Sequence, residues 1–363
     1  MQGGRLRAAR AGDLAWAAMS GPSRGGRVRV RAPKRVSPRA FQKMAAAAVW
    51  VLALTIVSGA AVRLTGSGLG CSDWPKCTST SVVAPLQFHA WVEFGNRLIN
   101  AAVAVAAIGA LAAALWRSPR RKDLTLLAAG LLAGLLAEIV LGGLTVLYKL
   151  APGFVMSHFL LAVVFLGDAA VLHHRARIPD GAAPRRRVAV VGRPQILLAR
   201  AQLVLVAAVI TLGTVVTSTG PHGGDPSARR FGFSLHSVAQ LHGTTVELLI
   251  VVTLAAMWSL ARSSPPRPVL RRAEVLLAAL VAQAAVGYAQ YFSGDPVGVV
   301  AVHVAGATIV VITALRYYFG LFDAQPAAGT GTAGSSPEAA GAVSAPPVSA
   351  PPLAASAPGA VPS

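Results

Sequence analysis

Three histidines, His158, His242 and His303, each lie about one and a half turns inside a long apolar run. An imidazole in lipid surroundings needs a partner, and two of them facing each other from separate helices are what six-coordinate haem iron uses. Zinc is a poorer match, because structural zinc takes four nitrogen or sulfur ligands close together. A second group stands in QFHAWVEFGNR (87–97), where His89, Glu93 and Asn96 are spaced i, i+4, i+7 and stack on one helical face. A carboxylate at the mouth of an apolar run is costly and marks a functional site by default. The plainer alternative there is a helix cap with an interfacial histidine. The third group is CSDWPKC, which holds the only cysteines, Cys71 and Cys77. A short Pro-containing loop in an oxidising compartment favours a disulfide between them, either a staple or an exposed bond able to exchange.

The elements that must carry these groups are membrane spans. Of 363 residues, 54% are hydrophobic and 13% charged, and the mean hydropathy is +0.59, the profile of a multi-span protein in a lipid bilayer. Runs of the required length, about 20 residues, lie at roughly 44–64, 90–116, 124–147, 153–172, 199–218, 236–260, 274–292 and 298–319. The net charge of +20 falls in short clusters between apolar runs, without interleaved aromatics, and so excludes a nucleic-acid platform. Basic residues crowd the connections with Arg117 to Lys122, Arg175 to Arg200 and Arg262 to Arg272. That bias places both termini in the cytoplasm of a plasma-membrane protein, with the loops near 65–88, 148–152, 219–235 and 293–297 outside. Residues 1–43 read as a basic disordered tail, 176–198 as a cytoplasmic linker, and 321–363 as an Ala/Pro-rich disordered tail.

An internal repeat runs through the apolar core. GAAVRLTGSG (59–68) resembles GTVVTSTGPH (213–222), EIVLG (138–142) matches QAAVG (283–287), and SHFLLA (157–162) matches VHVAGA (302–307). The expected fold is therefore all-α, with eight transmembrane helices as two repeat-related four-helix bundles, residues 44–175 and 199–320. In that topology His158, His242 and His303 enter from the outer face and share one layer, roughly 8–10 Å below the rim. Asn96 reaches the same depth, and His89 sits two turns higher. His242 and His303 are the more secure bis-histidine pair. Glu138, Asp168 and Glu247 are expected as protonated, hydrogen-bonded carboxyls inside the bundles. Arg63 and Arg97 lie near the outer layer, where the propionates of a haem would need cations.

These motifs, in this order, resemble one family. TGSGLGCSDWPKC, EFGNR, SHFLLA, QLHGT and VHVAGA are similar to the motifs of haem A synthase in its actinobacterial form, over about residues 44 to 319. The resemblance implies a haem b cofactor in the C-terminal half, haem O as substrate in the N-terminal half, and oxidation of a porphyrin methyl to a formyl by successive hydroxylations. It implies His242 and His303 as axial ligands of haem b, His158 as a substrate-haem ligand, Glu93 as the catalytic residue, and Cys71 with Cys77 as the outer-loop disulfide, for which a redox role is proposed. Haem O synthase and an electron donor are the implied partners, and monomer and oligomer both remain open. The sequence departs from the family at Asn96, where a second substrate-side histidine is expected; either His89 replaces it, or His158 holds the iron alone. A di-haem cytochrome that only relays electrons and a transporter built on the repeat are the alternatives. A haem O-forming prenyltransferase is disfavoured, because no paired Asp-rich motif is present.

Overall fold

The computed structural model describes residues 35–180 and 185–326. Eight helices follow in order, each long and apolar enough to cross a membrane: α1 (Pro38–Leu64), α2 (Phe88–Trp116), α3 (Lys122–Leu147), α4 (Pro152–Ala176), α5 (Arg193–Thr219), α6 (Leu235–Ala261), α7 (Arg267–Phe292) and α8 (Val297–Gly320). The chain is an eight-span integral membrane protein. α1 starts at Pro38, earlier than the expected 44, because Ser37 caps it by accepting from the Ala40 amide and Pro38 fits the first turn. The rest of the two tails, residues 1–34 and 327–363, lies outside the described residues.

The all-α expectation holds for the spans, and outside them the linker and the start of the last segment pair as two short strands. β1 (Arg185–Ala189), in the linker, pairs antiparallel with β2 (Phe322–Pro326), in the segment expected to be disordered, with Ala189 opposite Phe322. Neither segment shows strand alternation. Their pairing comes from adjacency: the Val190 amide donates to the Leu321 carbonyl at the end of α8.

Helices α1 to α4 close one bundle and α5 to α8 another, and the two abut through α1 and α4 on one side and α5 and α8 on the other. Packing is tight toward one end. Leu124, Ala128, Leu131 and Leu135 of α3 are buried at i, i+4, i+7, i+11. The same spacing recurs in Leu249, Thr253, Ala256 and Leu260 of α6 and in Val269, Ala273, Leu276 and Leu280 of α7. Such stripes fit facing helices together as in a coiled coil. Trp50, Val105, Leu126, Val164, Val204 and Trp258 point outward, exposed, as a lipid-facing surface requires.

The tight end is tied by ions. Arg117, 1% exposed, donates to both oxygens of Asp180 at 3.0 and 2.7 Å and stands over the Phe41 ring. Val36 threads between the Trp116 carbonyl and the Ser118 amide. The start of α1, the α2–α3 turn and the segment after α4 thus meet at one guanidinium. Arg117→Ala leaves the Asp180 carboxylate without its main partner and is expected to cost about 3 kcal/mol, measured as a lowered unfolding midpoint in detergent. Asp180→Asn should cost less.

Candidate functional site

At the end opposite Arg117 the helices part around one cavity of about 880 Å3, lined by residues of all eight helices. This is within the range of small-molecule sites. His158, His242 and His303 all line it. They are the seventh, eighth and seventh residues of α4, α6 and α8, and so occupy one layer.

Each imidazole rests against a glycine of the helix before its own. A Cβ added at Gly142 would lie 3.3 Å from His158 Cε1, one at Gly213 3.3 Å from His242 Cε1, and one at Gly287 3.1 Å from His303 Cε1. The rings of His242 and His303 face each other across the C-terminal half with centroids 6.4 Å apart. Two imidazoles that share one metal ion through collinear bonds of about 2 Å have centroids roughly 6 Å apart, so the spacing suits a single metal between them. The Nδ1 atoms of both rings are buried without an aligned hydrogen-bond partner. Among the described residues no three His, Cys, Asp or Glu side chains converge as a metal site, unlike the four-ligand set of structural zinc.

The N-terminal half is built differently. Glu93, 5% exposed, accepts from the Cys71 amide at 2.8 Å and from Arg97 Nη2 at 2.6 Å. Arg97 also donates to the carbonyls of Asp73 and Lys76, at 3.1 and 3.0 Å. One guanidinium therefore joins the carboxylate to the loop that holds the cysteines, and it is committed there rather than free for a propionate. Cys71 and Cys77 form a disulfide. Both are fully buried, against Ala84 and Ala90, so of the two alternatives the bond is not an exposed one: the loop folds down onto α2. Gly70 permits that approach, since any Cβ there would collide with the His89 carbonyl. Trp74 of the same loop reaches the cavity and lies over Gly143, where a Cβ would fall 2.8 Å from the indole.

His158 Nδ1 lies 2.6 Å from Glu138 Oε2, close but not aligned as a hydrogen bond. Asn96 faces the cavity, with its Oδ1 accepting from Ser58 Oγ at 2.7 Å. His89 does not line the cavity. Its ring is exposed and meets Ser67 Oγ at 2.8 Å. Nor does it cap the helix, since Gln87 is the N-cap residue. Of the other carboxyls, Glu247 accepts from the Tyr288 hydroxyl at 2.7 Å, whereas Asp168 Oδ2 is buried without a partner; its expected hydrogen bond is not formed, because the facing residue is Gly130. Arg63 lines the cavity, and its side chain makes no hydrogen bond or ion pair to any described residue. Sequence reasoning missed the glycines as ring supports, Trp74, Ser58 and the Glu138–His158 pairing. Only the glycines left a signal, as repeat-related positions one helix before each histidine.

Removing the guanidinium should loosen the whole assembly. Arg97→Ala strips Glu93 of its cation and frees the loop carbonyls of Asp73, Pro75 and Lys76, for an expected loss of about 2 to 3 kcal/mol, read as a lowered unfolding midpoint in detergent. Arg97→Lys should recover less than half, because an ammonium lacks the planar fork that spans both sides.

A family model described as cytochrome oxidase assembly protein (COX15-CtaA) matches residues 42–222. A protein named heme A synthase from Geobacillus kaustophilus is 36% identical over 116 residues, 31% of this chain and 35% of that protein. One of the same name from Methylobacterium nodulans is 26% identical over 317 residues, 73% of this chain and 87% of that protein. A protein named protoheme IX farnesyltransferase from Chloroflexus aurantiacus is 30% identical over 136 residues, 36% of this chain and 22% of that protein. The chain spans about a third of the length of the first of these relatives. The motifs that line the cavity and the matches agree, and the chain belongs to the haem A synthase family.

Proposed function

We propose that this chain is a haem A synthase, a membrane oxidoreductase that converts a methyl group of haem O into a formyl group by successive hydroxylations, with haem b as its resident cofactor. The observation that carries the reading is the division of one cavity into two unlike halves. The C-terminal half offers two imidazoles at the separation a shared iron needs. The N-terminal half offers one imidazole, His158, with a buried carboxyl, Glu93, opening on the same space.

Haem b, which His242 and His303 would hold, would supply one-electron transfer. The protein's own groups do the rest. His158 orients the substrate, while the apolar walls from Leu52, Ile56, Val103 and Phe165 keep water from the ring. Glu93, held by the Cys71 amide and Arg97, handles the proton at the reacting carbon or stabilises positive charge there. Arg63, without a protein anion, meets a propionate. Both termini lie in the cytoplasm, and the disulfide loop and the layer of histidines lie toward the outer face. Haem O arrives from haem O synthase, and the likeness to the Chloroflexus aurantiacus protein supports a link to that preceding step.

A di-haem cytochrome would use the same imidazoles but would have no use for a buried carboxyl wired to a disulfide loop. A transporter would break its helices near the midplane, and the eight spans here are continuous. Co-expression with a haem O producer, followed by mass analysis of extracted porphyrins, tests the reading: haem A should accumulate. Glu93→Gln should retain the low-spin haem b spectrum while haem A falls at least 100-fold. Undiminished haem A from that variant would remove Glu93 from the reaction. His303→Ala should abolish the low-spin spectrum itself.

A further inference from the structure

One layer of the cavity is built four times, and its fourth instance is different. Between α5 and α6 the His242 ring fills the space in front of Gly213. Between α1 and α2 the corresponding glycine is Gly59, and nothing lies within 4 Å of the point its Cβ would occupy. The residue standing in the place of His242 is Asn96. Its Oδ1 is held by Ser58 Oγ at 2.7 Å, so the carboxamide is drawn to the α1 backbone beside Gly59. Its Nδ2 hydrogens remain unused and the side chain faces the cavity. His89 is not a substitute, because its ring is exposed outside the cavity on Ser67.

The imidazole that is retained also differs from its repeat partner. His158 has the Glu138 carboxylate 2.6 Å from its Nδ1. At the matching position before His303 stands Gln283, whose amide donates to the His303 backbone carbonyl at 2.7 Å and leaves the ring Nδ1 alone. A carboxylate on the far nitrogen of a metal-ligating histidine fixes the ring and raises its basicity. The half with a single imidazole is therefore the half that sets a carboxylate beside it.

We propose that the N-terminal half holds its haem through a single protein ligand, His158 backed by Glu138, and leaves the iron face toward Gly59 and Asn96 open to a small exogenous ligand of the diatomic class. Asn96 donates a hydrogen bond to that ligand through Nδ2. The identity of the haem rests on the function proposed above, whereas the coordination rests on the cavity itself.

The test uses the full chain purified in detergent from cells that make haem O, with haem added to saturation and carbon monoxide as the probe. In the reduced protein about half of the bound haem should form the carbon monoxide adduct, and the oxidised protein should show a high-spin signal beside a low-spin one. Asn96→His should fill the space before Gly59, convert the high-spin signal to low-spin and abolish the adduct at unchanged haem content. Asn96→Ala should keep the adduct with a shifted carbon monoxide stretching frequency, which guards against simple misfolding. His158→Ala should remove only the reactive haem, and Glu138→Gln should lower the iron–histidine stretching frequency. Two low-spin, unreactive haems in the unaltered chain would overturn the proposal, as would a chain that takes up no second haem at saturation. Extracted porphyrins separate the two claims. Haem A made by an unreactive, low-spin protein sinks the coordination alone; an adduct that requires His158 in a chain that never alters haem O sinks the enzymatic reading alone.

Discussion

The site depends on a steric bargain between neighbouring helices: a glycine on one gives clearance to an imidazole on the next. Gly142, Gly213 and Gly287 each sit where a Cβ would press within 3.1 to 3.3 Å of a histidine ring. A Cβ there would press the ring back by a few tenths of an ångström. Small residues let membrane helices approach closely, and here the same approach sets the depth and orientation of the rings. The imidazoles are thus placed by backbone geometry, with few hydrogen bonds to help; Nδ1 of His242 and His303 has no aligned partner. A group so placed is ready for a ligand but unsatisfied without one.

That arrangement requires a rigid floor and an open roof. The floor is the tight end, where buried stripes on α3, α6 and α7 interlock and Arg117 ties three segments together. The roof differs between the halves. Over the N-terminal half the disulfide loop folds inward, places Trp74 on Gly143 and hands an amide to Glu93. The repeat position of Gly143 in α7 is Tyr288, which instead reaches Glu247. A duplicated scaffold has in this way acquired two distinct rooms. On the proposed reading one room holds a cofactor permanently and the other takes a substrate and reacts with it, which a symmetric pair of sites would do less well.

What could be read from the chain follows the range of the interactions involved. The eight spans were legible because lipid imposes length and hydropathy locally, and the common depth of His158, His242 and His303 followed from counting along helices. The cysteine pair was legible from its spacing, but its burial was not, because that depends on Gly70 meeting the His89 backbone across α2. Ser58 holding Asn96 spans 38 residues and Arg97 reaching the loop carbonyls more than 20; no local pattern announces either. The early start of α1 was written in Ser37-Pro38, a cap followed by a first-turn proline, and was obscured by the basic residues around it. The β1–β2 pair had no pattern to read, since its pairing is decided only when α8 ends beside the linker.

The two arginines at the open end of the cavity are held in opposite ways. Arg97 is satisfied on every side: it pairs with Glu93 and donates to loop carbonyls, and its role is internal. Arg63, on the last turn of α1, packs its aliphatic stem against Gly224 and lines the cavity, its guanidinium without a hydrogen bond or an ion pair among the described residues. A guanidinium withdrawn from water without an anion is a cost that folding alone does not repay. It is offset when the occupant brings the negative charge. On the proposed reading that charge is a carboxylate on the porphyrin edge, so the residue that weakens the empty protein is also one that holds its ligand.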